Sequence, residues 1–190
     1  MEFRLSAFVL ALAFSGCVEK VTADENEKGP IARPPVAEFD PQNRVIPFPN
    51  DLLIDPATGR VSLPAQCGES PSSAALRTNV LNALDGFGTS KTAIQATFSQ
   101  PVDAASLEGR VFVVRMATAG VPASGPPEAV GIVIVPGKTT RSSADCQSQA
   151  SVDTITIVPR APLAGSSVYA VALVSGIKTA SGAEFLPAPT

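Results

Sequence analysis

The sequence contains no histidine and no tryptophan, and Tyr169 is the one tyrosine among its 190 residues. Without histidine the chain cannot supply a Ser-His-Asp or Cys-His catalytic device, or a histidine-ligated zinc site. The Gly-x-Ser-x-Gly elbow, the Walker loop and the Gly-x-Gly-x-x-Gly fingerprint are also missing from the sequence. We therefore predict no catalytic residue, cofactor or metal site in this chain, which we expect not to be an enzyme.

Charge is also scarce. Charged residues make up 16% of the chain, the net charge is −3, and no basic block stands out. A nucleic-acid-binding protein needs a concentrated basic surface, so we expect no nucleic-acid partner. The 18 prolines and 14 glycines, among many Val, Ala, Ser and Thr residues, are typical of a mainly β, turn-rich domain outside the cytoplasm.

The first seventeen residues predict export. Arg4 precedes an apolar run over Leu5–Phe14, and small residues then lead to Cys17. This pattern is typical of a secretory signal, and the run is too short for a membrane span of about 20 residues. The ending resembles the lipobox of bacterial lipoproteins, which implies a signal peptide over 1–16, lipid on Cys17 and anchoring to a membrane. The alternative is an ordinary secretory signal with an incidental cysteine.

Sorting is also implied by the lipoprotein resemblance. Val18, rather than an aspartate, follows the cysteine. In Gram-negative lipoproteins this favours the outer membrane, so we expect an outer-membrane lipoprotein of the cell envelope, facing the periplasm or the exterior.

Two further cysteines, Cys67 and Cys146, lie in polar, turn-like sequence. In an oxidising compartment such a pair commonly forms a disulfide. The bridge would close a loop that contributes about 4 kcal/mol in the chain-entropy account. We predict this disulfide between two surface loops; the alternative is two free thiols.

Composition divides the remaining chain into a flexible tether over 17–38, an N-terminal extension over 39–90 and a sandwich over 91–187. Within the extension, a turn at Asp55–Gly59 predicts a short hairpin with arms at Leu52–Ile54 and Arg60–Leu63. Asp40, Asp51 and Asp55 fit turn capping better than calcium binding, because their spacing matches no calcium loop.

A helix is predicted after Ser70, with Ser70 as N-cap and Pro71 as the first helical residue. Apolar residues then share one face that we expect to pack on a sheet, with Gly86 as the stop. The residues on this face are Leu76, Val80, Leu81 and Leu84.

Several short β-type runs separated by turn residues follow, and their spacing predicts a β-sandwich. The runs are Thr92–Phe98, Val111–Met116, Val130–Val135, Thr154–Val158 and Val168–Val174. Asp103 is expected to cap a helical turn within Pro101–Leu107. The polar segment Lys138–Ala150 is interpreted as a long loop or hairpin tip and a candidate contact surface. One core is expected to contain Ile94, Phe98, Tyr169, Val171 and Leu173.

Two phrases in the β-rich part resemble a known family. Thr97–Asp103 matches a Thr-Phe-Ser-x-Pro-Val-Asp opening strand, and Leu163–Tyr169 keeps the order of a closing Pro-Leu-x-x-Gly-x-x-Tyr-x-Val strand. The region from Thr92 to Leu186 thereby resembles bacterial Ig-like domains of the S-layer (SbsA-like) type. The resemblance implies an Ig-like fold and no chemistry.

A second resemblance covers the extension. Val45–Leu53, with its Pro-Phe-Pro-Asn-Asp-Leu phrase, and Leu81–Ser90, with Asn-Ala-Leu-Asp-Gly-Phe, look like the N-terminal region of bacterial virulence-factor lipases. In those surface lipoproteins such a region precedes an α/β-hydrolase domain. The resemblance implies that such a region is accompanied by a hydrolase domain. It carries over no activity to this chain.

Two functions follow as hypotheses. The first is a non-catalytic, lipid-anchored envelope protein whose Ig-like module serves as a surface spacer, adhesion or protein-binding element. The second is the non-catalytic N-terminal domain of a secreted or outer-membrane lipase. The expected partners are a membrane, through the lipid, and a hydrolase domain or another envelope protein.

Overall fold

A computed structural model of the chain describes residues 34–90, 92–118 and 126–188. The predicted signal peptide 1–16 and the predicted lipid-bearing Cys17 lie outside these ranges. No helix in the described ranges has the length and apolar character that a membrane crossing requires.

The described chain is mainly β, as predicted. Two antiparallel three-stranded sheets have the orders β3-β7-β6 and β5-β4-β8, and β1-β2 form a small hairpin. The strands are β1 (Ile54–Asp55), β2 (Arg60–Val61), β3 (Ile94–Phe98), β4 (Val111–Thr118), β5 (Glu128–Ala129), β6 (Ile132–Ser142), β7 (Gln149–Pro159) and β8 (Ser167–Leu173). The one α-helix in these ranges is α1 (Pro71–Asn79).

The core lies between the two three-stranded sheets. Alternate residues of β3 point inward, so Ile94, Ala96 and Phe98 are all buried. Phe98 packs edge-to-face on Phe185, with 4.9 Å between the ring centroids. Leu107 joins the same cluster from the helical turn Ala104–Leu107, which Asp103 caps as predicted. The predicted β-sandwich is therefore confirmed.

One predicted core position is wrong. Tyr169 and Leu173 pack against the core, but Val171 between them is 42% exposed. Its partner in the register, Val113, is buried. β8 is the outer strand of its sheet, so a side chain on its inner face can still reach solvent at the open edge of the sandwich. Alternation fixes which face a residue lies on, not how well that face is covered.

The segment Lys138–Ala150 is mostly strand rather than a long loop. β6 and β7 pair over eleven positions, from Ile132↔Pro159 to Ser142↔Gln149. The hairpin tip is confined to Ser143–Ser148, where the Ser143 amide donates to the Ser148 carbonyl at 2.9 Å. Polar Ser, Thr and Arg residues suit a solvent-facing ribbon, so their composition resembles that of a loop while the backbone stays paired.

The extension begins with short capped turns. Asp40 caps a 3-10 turn over Pro41–Asn43, and Asn50 caps another over Asp51–Leu53. The predicted hairpin is present but short, since β1 and β2 pair at two positions across the Asp55–Gly59 turn. Gly59 has φ +65°, a left-handed conformation that glycine adopts without strain.

The predicted helix start is confirmed and its end is not. The Ser70 hydroxyl accepts a hydrogen bond from the Ser73 amide, and Pro71 is the first residue of α1. α1 ends at Asn79, and Leu81–Ala83 then form a 3-10 turn, well before the predicted stop at Gly86.

The predicted tether extends too far at its C-terminal end. Residues 36–38 are paired: the Ala37 amide donates to the Leu186 carbonyl, and the Glu38 amide donates to the Thr97 carbonyl. The Arg141 guanidinium adds an ion pair with Glu38 and a 2.9 Å hydrogen bond to Thr97. Residues 36–38 are therefore part of the folded unit and not of a free tether.

Candidate functional site: an apolar groove in the extension

The Cys67–Cys146 disulfide is present, with 5.4 Å between the two Cα atoms. It joins a turn of the extension to the tip of the β6–β7 hairpin. The link is reinforced by the Phe48 and Gln95 backbones, which exchange hydrogen bonds of 3.0 and 2.7 Å. A further hydrogen bond joins the Leu163 amide to the Thr89 carbonyl at 2.9 Å, so the extension is held to the sandwich at several places.

The extension contains an open groove of about 840 Å³. Its lining comes from three stretches of the extension: the segment before β1, the segment between β2 and α1, and α1 with the turn after it. Most of the lining is apolar, and it includes Ile46, Phe48, Leu52, Leu53, Leu76 and Leu81. The volume lies within the range of about 300–1,000 Å³ that is typical of small-molecule sites.

The predicted helix face forms part of this groove instead of packing on a sheet. Leu76 is 53% exposed and lines the groove, and Val80 and Leu84 are also half exposed. Because α1 ends at Asn79, the four predicted residues do not form one continuous helical stripe. Helical spacing identified the apolar residues correctly, but it could not show that no sheet lies beneath them.

An ion pair stabilises the helix side of the groove. Arg77 binds Glu69 in a bidentate manner, with Nε–Oε1 at 2.9 Å and Nη2–Oε2 at 2.8 Å. The two side chains are only 15% and 9% exposed, respectively. Hydrogen bonds from Arg77 lower the pKa of the Glu69 carboxyl below its ordinary value, and the same contact raises the pKa of Arg77. Both groups are therefore charged at neutral pH, and each neutralises the other.

Arg44 also lines the groove. It follows the Pro41–Asn43 turn with φ +60°, inside a loop closed by two backbone hydrogen bonds between Asp40 and Val45. The ion pairs formed among the described residues do not include Arg44. The neighbouring Asp40 carboxylate is occupied by Asn43, whose Nδ2 lies 2.7 Å away. Hydrogen bonds from Asn43 also lower the pKa of Asp40.

Of the three aspartates predicted to cap turns, Asp40 and Asp55 do so and Asp51 does not. Asp40 accepts from the Asn43 amide, and Asp55 accepts from the Ala57 amide at 2.8 Å. Asp51 begins the 3-10 turn that Asn50 caps. Within the described ranges, no group of three or more Cys, Asp or Glu side chains is arranged to hold a metal ion.

The hairpin tip that we interpreted as a candidate contact surface is small and internally bonded. Asp145 accepts from the Ser143 hydroxyl and the Gln147 amide, which lowers the pKa of its carboxyl. The Cys67–Cys146 disulfide to the extension restricts the hairpin tip further. The apolar groove is a second candidate surface, for which the sequence offered only the misassigned helix face as a signal.

Comparison with known proteins identifies the family of the sandwich. A family model described as a bacterial Ig-like domain matches residues 73–190, which is more than half of the chain. The match begins inside α1 and covers both three-stranded sheets. No curated protein and no solved structure matches the chain.

Proposed function

We propose that this chain, which belongs to the bacterial Ig-like domain family, is a non-catalytic, lipid-anchored binding module of the cell envelope. Domains of this family are generally non-catalytic and typically lie outside the cell or at its surface. The observation that carries the proposal is the exposed groove, which is fixed to a rigid sandwich. Its ionisable lining residues within the described ranges are Arg44 and the paired Glu69 and Arg77.

The lipid anchor rests on the sequence at Cys17. Acylation there, followed by a tether of fewer than twenty residues before the paired segment at 36–38, would hold the groove near a membrane surface. Several acyl chains together anchor stably, because each buried methylene contributes about 0.8 kcal/mol. In this proposal the sandwich is the spacer and the extension is the binding surface.

Mass spectrometry of the protein purified from native membranes tests the anchor. We expect a chain that begins at Cys17 and carries a diacyl or triacyl adduct. Cys17→Ser is the matched variant and should abolish both the adduct and the membrane fraction. An unmodified chain cut elsewhere would contradict the anchor while leaving the groove unaffected.

A second candidate function is the N-terminal domain of an outer-membrane lipase. It is favoured by the position of the groove, because Ile46–Leu53 and Leu81 belong to the two phrases that resemble the virulence-factor lipases. In this case the partner is a hydrolase domain. The intact mass of the native protein distinguishes the two: a mass far above the 19.4 kDa of this chain supports the lipase, and the mass of a lipid-modified chain over residues 17–190 supports the independent module.

A further inference from the structure

The groove combines an apolar body with a positive charge. Its ionisable lining residues among the described ranges are Arg44, Glu69 and Arg77, two cations against one anion. Since Glu69 and Arg77 are paired, the formal charge of +1 that remains belongs to Arg44. A ligand that complements this surface has an extended apolar part and one negative charge.

The apolar part is accessible as it stands. Leu52 and Leu76 are 59% and 53% exposed, and Phe48 is 44% exposed. These side chains lie on separate elements that the Phe48–Gln95 pairing and the capped helix hold in place. Exposed apolar side chains that line a concave surface with polar groups at its edge can contact a ligand without rearrangement.

From this complementarity we infer that the groove binds a long-chain fatty acid, with the acyl chain along the leucine-rich walls and the carboxylate at Arg44. An alkyl cation of the same length would place its charge against Arg44. A neutral alkane would leave the guanidinium without a counter-charge. The inference goes beyond the envelope-module proposal and does not depend on the lipid at Cys17.

Titration calorimetry with palmitate tests it, using the full chain from residue 17 with Cys17→Ser so that no covalent lipid competes. We expect saturable one-to-one binding below the concentration at which palmitate forms micelles. Hexadecylamine, which has the same chain and the opposite charge, should bind more weakly. No saturable uptake of palmitate, or equal affinity for the amine, would overturn the inference.

Two variants locate the site. Leu76→Ser should weaken palmitate binding by about tenfold, because half-exposed leucine surface that the ligand would cover is lost. Arg44→Gln should weaken it by up to about fivefold, which is the range of an exposed ion pair. Neither residue is buried, so both variants should keep the unfolding transition of the parent protein.

Matched controls lie outside the groove. Phe112→Ser removes an apolar side chain that is 43% exposed on β4, and Lys178→Gln removes an exposed cation. Both should leave palmitate affinity unchanged. Equal losses in the groove variants and the controls would show non-specific adsorption and contradict the site. The anchor at Cys17 would stand or fall separately, by the mass measurement.

Discussion

In the sandwich, ten residues form one buried apolar cluster between two sheets, whereas among the described residues of the extension only Val61 is a buried apolar residue. The extension instead depends on directional contacts: caps at Asn50 and Ser70, the Glu69–Arg77 ion pair and the disulfide. The comparison shows a division between the two regions in how each is stabilised. The sandwich buries a large apolar cluster on folding, whereas the apolar side chains of the extension, apart from Val61, remain at least partly exposed.

The largest expected effect is in the sandwich. Phe98→Ala should lower the free energy of unfolding by about 3–5 kcal/mol, because Phe98 is 1% exposed and its removal leaves a cavity beside Phe185. Urea unfolding followed by Tyr169 fluorescence measures this, since the chain has no tryptophan and no other tyrosine. The control is Phe48→Ala, in the groove wall, which should cost far less. Equal costs would show that the extension also folds around a core.

Removing the disulfide comes next. The double variant Cys67→Ser, Cys146→Ser should lose about 2–4 kcal/mol, the typical contribution of a bridge that closes a long loop. The extension should loosen before the sandwich unfolds, because the bridge is one of the links that hold the extension to the sandwich. We expect trypsin to cut after Arg60 and Arg77 before the Tyr169 signal changes. Cleavage rates equal to those of the parent would contradict this division.

The same comparison explains what the sequence could predict. Ile94, Ala96 and Phe98 alternate with polar residues along β3, and such alternation can be recognised within a few residues of sequence. β3 and its inward face could therefore be predicted. Leu76 and Leu81 belong to a helical pattern just as clear, yet they line a groove. Whether an apolar face is covered depends on contacts distant in the chain, which no local pattern contains.

The paired cysteines show what the sequence can predict, and the groove shows what it cannot. Cys67 and Cys146 could be paired because, once Cys17 is assigned to lipid, elimination leaves a single partner. Arg44 had no such signal: a closed loop brings it to the same groove as residues of a helix more than twenty positions later in the chain.

A smaller effect is expected at the ion pair, and it should depend on pH. Since the pKa of Glu69 is lowered in the folded state from an ordinary value of 4.5, its contribution is fully present above pH 4.5. It is lost as pH falls through the lower folded pKa. Glu69→Gln should therefore be less stable than the parent at pH 7, and the difference should shrink on acidification. Urea unfolding at several pH values measures it, and a constant difference would contradict the linkage.

The smallest expected effect concerns one hydrogen bond in the sandwich. The Tyr169 hydroxyl accepts from the Ala164 amide at 2.8 Å, five residues upstream, in the manner of the tyrosine corner of Ig-like sandwiches. Tyr169→Phe keeps the ring against the core but removes the acceptor, so we expect a loss of about 1 kcal/mol. Circular dichroism must follow this unfolding, because the variant has lost its fluorophore. Palmitate affinity should not change, since Tyr169 lies outside the groove; a change would mean that the two regions are energetically coupled and that the division between them is incomplete.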